Sequence, residues 1–238
     1  RIADNNLLTL GVQSRLIKPQ DGAEVLRLSY AQRLRYKDRT VVLPGGAPDN
    51  ARFSDMLFGV QANLSKKWSS DAVVQYNPKT NNSERSSIGL RYHPSDYRTL
   101  SLAYRYQRSQ SEMVDVGWQW PLNNPGGQKP GKALPTGGLG QGRWYSVGRI
   151  NYSAPEKKII DSLVGFEYDG GCWIGRVALE RRSNTVSQSN KRILFQLEFV
   201  GFSKIGASPL KALQDAVPRY RLLREKGSGA KPAELDYE

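Results

Sequence analysis

The chain has one cysteine, one histidine and two methionines among its 238 residues. A single cysteine excludes an internal disulfide framework and a cysteine-rich zinc site. It leaves Cys172 as a free thiol or bonded to something outside this sequence. The lone histidine, His93, precedes Pro94, where a turn is expected. With the one histidine expected in a turn, no serine–histidine pair for nucleophilic hydrolysis is evident, and the glycines form no phosphate-binding loop between a strand and a helix. The chain is therefore expected to be no enzyme, with no cofactor and no metal. Long hydrophobic runs are also missing. None approaches the roughly 18 residues that a spanning helix needs, and a mean hydropathy of −0.58 is too polar for a bundle of membrane helices. The opening Arg1-Ile2-Ala3-Asp4 reads as the approach to a strand rather than a signal peptide, so a mature form or a fragment is expected.

Acidic residues are scarce: 22 Asp and Glu stand against 35 Lys and Arg, a formal charge of +13. This charge suits a nucleic-acid-binding or anionic-surface protein, or a polar surface that is merely arginine-rich. The positions of the arginines along the strands decide between these readings.

What the sequence has in abundance is alternation with a period of two. Leu8, Leu10, Val12 and Leu16 alternate with Thr9, Gly11, Gln13 and Arg15. Leu26, Leu28, Tyr30, Leu34 and Tyr36 alternate with Arg27, Ser29, Ala31, Arg33 and Arg35. The same pattern predicts strands over 55–65, 68–76, 85–92, 98–107, 112–120, 158–168, 172–182 and 191–202. Over 143–153 the parity is ambiguous, because Tyr145 and Val147 oppose Trp144, Ile150 and Tyr152. Residues 38–53 and 121–142, crowded with proline and glycine, read as loops. Ser208-Pro209 reads as an N-cap and first helical position, with Leu210, Leu213 and Val217 on one face before Pro218.

About eleven regular strands, one face apolar and the other polar, carry the pattern of an antiparallel transmembrane β-barrel meander. A soluble antiparallel sheet, polar on its solvent side, is the alternative. Aromatic placement favours the membrane: Trp68 and Trp144 begin strands, while Tyr36, Tyr76, Tyr92, Tyr106, Trp120, Tyr152 and Tyr168 lie near strand ends, as interfacial girdles require. An odd strand count predicts an incomplete, unclosed barrel, since closed bacterial barrels have even counts. Arg27, Arg33, Arg35, Arg91 and Arg105 share the polar parity and would line a lumen; Asp161, Glu167, Glu180 and Glu198 occupy that parity later. Two readings remain open for the arginines. One is a compensated interior network; the other is contact with the phosphates of a transported ligand. A nucleic-acid-binding β domain would interleave its arginines with exposed aromatics, and here the two segregate to opposite faces. A general outer-membrane porin fits the physics equally well.

The most informative stretch runs from Gly165 through Tyr168, Asp169-Gly170-Gly171 and Cys172-Trp173 to Arg176: strand, tight turn, strand. It resembles the carboxy-terminal signature of the LptD family of outer-membrane lipopolysaccharide-assembly proteins, a hairpin of the form G-x-x-Y-x-x-C-C-[WY]-x-x-R. Gly171 stands in place of the first cysteine of the pair. Leu90-Arg91-Tyr92, Leu102-Ala103-Tyr104-Arg105-Tyr106, Gln119-Trp120-Pro121-Leu122 and Gln196 to Ser203 match in the family's order.

The resemblance implies the C-terminal portion of a barrel over residues 1–203 and a short periplasmic C-terminal segment over 204–220, while the polar stretch 221–238, with Gly227-Ser228-Gly229, reads as a disordered tail. It implies a laterally opening barrel in the Gram-negative outer membrane that inserts lipopolysaccharide into the outer leaflet. An outer-membrane lipoprotein, LptE, would plug the lumen, and a periplasmic LptA bridge would dock on a missing N-terminal domain. Cys172 would form an interdomain disulfide to a partner outside this chain. The strand carrying Ile193, Phe195, Gln196, Leu197, Glu198 and Phe199, expected to be the last, would form one side of the lateral gate. The outer-membrane lipid would be a partner and nucleic acid would not. Residues 121–142 would be an insertion without structural duty.

Overall fold

In a computed structural model, described for residues 6–36, 52–123, 143–183, 189–207 and 209–223, alternation has become strands whose ends lie within a few residues of those expected. The strands are β1 (Leu7–Ile17), β2 (Glu24–Arg35), β3 (Met56–Ala62), β4 (Trp68–Asn77), β5 (Asn82–Ser95), β6 (Arg98–Gln107), β7 (Ser111–Pro121), β8 (Arg143–Ser153), β9 (Lys158–Asp169), β10 (Trp173–Ser183), β11 (Ser189–Phe199) and β12 (Ser203–Gly206). One helix, α1 (Leu210–Ala216), follows. The sheet order is the chain order, β1 to β12, so the fold is an antiparallel meander. β1 and β12 are its two edges and do not pair with each other. The sheet is not closed, in keeping with part of a barrel.

Several expectations need correction. The described strands number twelve, not eleven, so the odd count was the wrong reason for expecting an open sheet. The strand over 191–202 is not the last: β11 ends at Phe199, a turn with Gly201 at φ +79° follows, and β12 pairs back from Gln196↔Gly206 to Phe199↔Ser203. Four residues, Ser-Lys-Ile-Gly, are too few to display a period, and only the open edge of β11 makes them a strand. His93 lies inside β5, not in a turn, with its backbone N–H donated to the Lys67 carbonyl at 2.7 Å. The helix starts one residue later than expected, with Pro209 in the N-cap position. Its carbonyl accepts from Leu213 N at 2.9 Å. Ser208, the expected cap, and residues 124–142 of the expected loop lie outside the described residues.

The chain divides into two units. The first comprises Arg1–Pro94, Ser101–Asp115 and Tyr152–Lys158. Its apolar parity is solvent-facing: Leu10, Val12, Leu28, Phe58, Val60, Ile88 and Leu102 are all exposed. Its polar parity carries lateral pairs such as Asp71 with Arg91. The second unit comprises Ser95–Leu100, Val116–Asn151 and Ile159–Glu238. Here one sheet face is bare and apolar, with Trp144, Phe166, Val177, Leu179, Ile193 and Phe195 exposed. The other face is covered. Leu213 and Val217 from α1 and its exit, with Tyr220, pack on Val147, Leu163 and Ala178, flanked by Leu194. Leu223 packs on Tyr145 and Ile174.

This packing settles the ambiguous strand. Tyr145 and Val147 of β8 lie on the covered face with relative exposures of 1% and 0%, while Trp144 and Tyr152 face outward. An apolar patch interrupts the polar parity where the returning C-terminal segment lies, because that segment needs apolar surface to bury. At roughly 25 cal/mol per Å² of apolar surface removed from water, a few such side chains hold a short helix that would not form alone.

Candidate functional site

The covered face of the second unit is built around a buried ion cluster. Across β9, β10 and β11 the register aligns Glu167↔Arg176 and Arg176↔Gln196, so these three residues share a line across the sheet. Arg176 Nε donates to Glu167 Oε1 at 3.0 Å and its terminal nitrogen to Glu198 Oε2 at 2.6 Å. Lys204 on β12 reaches Glu198 Oε1 at 3.3 Å. Two carboxylates and two cations balance. Arg176 and Glu167 have side-chain exposures of 2% and 0%, so the balance matters: removing one partner of such a pair costs about 3–5 kcal/mol. Further along, Glu180 holds Arg192 at 2.6 Å and Arg182 at 3.2 Å.

The C-terminal segment closes this cluster. The Tyr220 hydroxyl donates to Glu167 Oε1 at 2.5 Å. Gln119, on β7, reads the backbone of Arg221 with both ends of its amide. Its Nε2 donates to the Arg221 carbonyl at 2.9 Å and its Oε1 accepts from Arg221 N at 3.0 Å. The Arg221 guanidinium pairs with Asp96, and Thr99 donates to the Pro218 carbonyl at 3.4 Å. Burial, then the charge of Glu167 and the hydrogen bond to it, push the Tyr220 phenol above its ordinary value of 10.0. Residues 221–223, expected at the head of a disordered tail, are thus tied down by hydrogen bonds and by buried Leu223.

The arginines expected to line a lumen separate into groups. Arg27 makes a two-pronged contact with Glu24, both at 2.8 Å. Arg91 pairs with Asp71, and Arg105 approaches Asp115 at 3.7 Å. Arg35 is partly buried and its backbone N–H is donated to the Arg52 carbonyl at 2.7 Å. Arg33 is exposed, with no ion-pair partner among the described residues. Most of this set is therefore compensated locally.

The cysteine turn is tightly specified. Gly171 takes φ +88°, Asp169 Oδ1 accepts from Gly171 N at 3.0 Å, and Gly170 N donates to the Trp173 carbonyl at 2.9 Å. A Cβ on Gly170 would stand 2.8 Å from the Trp173 indole, so only glycine lets the ring lie there. Tyr168 packs between Trp173 and Trp144, with centroids 5.1 Å and 4.9 Å away and rings tilted by 43° and 50°. Cys172 is exposed, with a free thiol, beside this aromatic cluster. In the first unit Trp68 and Tyr92 make a similar pair, at 4.4 Å.

On β11, Ile193, Phe195 and Phe199 are exposed on the bare face and Leu197 shares their parity; Gln196 is buried and Glu198 joins the ion cluster. β12 covers Gln196 to Phe199, and Ser189 to Phe195 have no strand on that side among the described residues. Sequence reasoning missed Gln119 as a clamp, and Tyr220 and Arg221 altogether. The parity of Gln119 was legible, but nothing local marks the tyrosine that returns from 53 residues away. Among the described residues no three His, Cys, Asp or Glu gather to hold a metal.

A family model described as LptD, LPS transport system D, matches residues 1–127, more than half of the chain. The chain belongs to the LptD family. It is 59% identical over 227 residues to the LPS-assembly protein LptD of Polaromonas sp. (strain JS666), an alignment covering 95% of this chain and 28% of that protein. It is 55% identical to the LPS-assembly protein LptD of Paracidovorax citrulli, covering 94% and 28%. It is 35% identical to that of Aromatoleum aromaticum, covering 94% and 26%. The chain thus spans little more than a quarter of the length of these LptD relatives. The family model ends before the cysteine hairpin and the ion cluster, which the relatives' alignments, covering 94–95% of the chain, extend to.

Proposed function

We propose that this chain is the C-terminal wall of an outer-membrane barrel that takes part in lipopolysaccharide assembly, inserting the lipid into the outer leaflet through a lateral opening. The observation that carries the reading is the segregation of faces. An exposed apolar face with Trp144, Phe166, Leu179, Ile193 and Phe195 suits hydrocarbon, while the opposite face holds ion pairs and amides beside the apolar patch that the C-terminal segment covers. Hydrocarbon cannot satisfy an open strand edge, so the uncovered part of β11 calls for a partner strand from the rest of the barrel. Its role is transport and structure, not catalysis.

Cys172 is exposed at a turn, the position a disulfide to a periplasmic domain needs, and the periplasm permits the bond. A lumen lipoprotein of the LptE kind and a periplasmic LptA-like bridge are the partners this reading implies. The LptD names of the relatives favour this reading over a general porin.

The test places a cysteine at Lys191, on the uncovered part of the β11 edge, and a second in the first strand of the complete protein, and locks the seam with a cross-linker. Loss of newly exported lipopolysaccharide at the cell surface is expected. Continued export with the seam locked would make β11 a plain wall strand and move the gate elsewhere.

A further inference from the structure

The first unit holds a cleft of about 710 Å³ on the polar side of its strands, between the β4–β5 and β6–β7 turns. This is the end of β4 and β5 opposite the Trp68–Tyr92 pair. Phe53, Asp55, Gln75, Lys79, Arg85 and Arg108 line it. Its volume is that of a site for a ligand of a few rings, in the range of roughly 300–1,000 Å³.

The cleft is held open by local chemistry. Asn77 Oδ1 accepts from Lys79 N at 2.9 Å, and Asn81 at φ +55° closes the first turn. Ser109, also at φ +55°, closes the second. Arg108 ties the turns together: its backbone N–H is donated to the Glu84 carbonyl at 3.0 Å, and its guanidinium to Glu84 Oε1 at 3.2 Å and the Thr80 hydroxyl at 3.4 Å. Opposite, Gln75 Nε2 donates to Asp55 Oδ2 at 2.6 Å, which fixes an amide and a carboxylate in the cleft.

Three features specify the ligand. Lys79 and Arg85 are exposed and have no ion-pair partner among the described residues, unlike Arg27, Arg91, Arg105 and Arg108. The uncompensated positive charge of this polar face therefore includes two cations at the cleft, where a phosphate would draw charge-assisted hydrogen bonds. Asp55 and Gln75 supply an acceptor and an amide for hydroxyl groups. Phe53, 49% exposed, offers a ring for the apolar face of a sugar. We infer that the cleft binds a phosphorylated saccharide. Resting on the lipopolysaccharide-assembly reading above, this ligand is the phosphorylated sugar portion of that lipid.

The test uses the complete protein in detergent and a phosphorylated oligosaccharide released from lipopolysaccharide by deacylation, titrated calorimetrically. The K79A/R85A double variant is expected to weaken binding by about tenfold or more, as loss of charge-assisted contacts does. The same oligosaccharide stripped of phosphate should bind wild type and variant alike, and F53A should weaken both forms of it. Inorganic phosphate should compete poorly. Absence of binding to wild type, or equal affinity of wild type and K79A/R85A, overturns the inference. Phosphate competing as well as the oligosaccharide overturns it too, by reducing the cleft to a bare anion site. Folding of each variant is checked by heat-modifiable gel mobility, with K79Q/R85Q as a second pair. Surface lipopolysaccharide in cells depleted of the native protein reports separately on the assembly reading: failure of the wild-type gene to restore it sinks that reading, whereas unchanged binding in the double variant sinks the cleft alone.

Discussion

The phenol of Tyr220 donates to Oε1 of Glu167, the oxygen that also accepts from Arg176 Nε. One carboxylate oxygen thus joins a segment beyond the sheet to the turn-side ends of β9 and β10. Replacing Tyr220 by Phe keeps the ring and removes the donor. A hydrogen bond to a charged group contributes about 1.5–3 kcal/mol, so a lower midpoint of heat-modifiable unfolding is expected, without loss of strand content by circular dichroism. Leu213→Ala should cost more, about 2–5 kcal/mol, by opening a cavity under α1. A Tyr220→Phe protein as stable as wild type would mean that the bond contributes nothing.

The same phenol makes stability fall in alkali. Its folded value is raised above 10.0 by burial and by Glu167. Below 10.0 both states keep the proton and the contribution is complete. As pH rises past 10.0 the unfolded chain loses the proton first, and folding weakens. The wild-type protein should lose up to about 1.4 kcal/mol per pH unit above that point relative to Tyr220→Phe. Parallel pH profiles for the two proteins would contradict this.

Gln119 offers a chemically sharper test of the same segment. Gln119→Glu replaces the amide donor facing the Arg221 carbonyl with an acceptor, and sets a carboxylate beside Glu167, now 3.4 Å from Gln119 Nε2. The segment should detach, freeing the backbone around exposed Arg219 and partly buried Arg221 for trypsin. Gln119→Ala, which leaves the Arg221 backbone groups unpaired at a cost of about 1–3 kcal/mol, should give an intermediate rate of cleavage. A trypsin pattern identical to wild type in both variants would show that the clamp is dispensable.

Cys172 should control covalent linkage to the rest of the protein. Wild-type full-length protein is expected to run faster on a non-reducing gel than on a reducing one, and Cys172→Ser to abolish that difference. Unchanged mobility in the variant would place the bond elsewhere.

The sequence by itself determined the sheet. A period of two in apolar residues dictates which residues face together, and β1 to β7 and β9 to β11 follow it because alternate side chains in extended backbone point to opposite faces. It also determined the cysteine turn, since Asp169 and Gly171 carry their conformational preferences with them. Only the tertiary structure decided what covers the polar face. Tyr145 and Val147 have no local reason to face inward; they do so because Leu213, Val217 and Leu223 return to bury them. β12 exists because β11 presents an unpaired edge, not because Ser203 to Gly206 favour a strand. Glu167 tolerates full burial because Arg176 lies directly across on β10 and Tyr220 arrives from a distant element. Charge at a buried site is acceptable only where partners converge, and convergence across 53 residues is a property of the folded chain that no local pattern encodes.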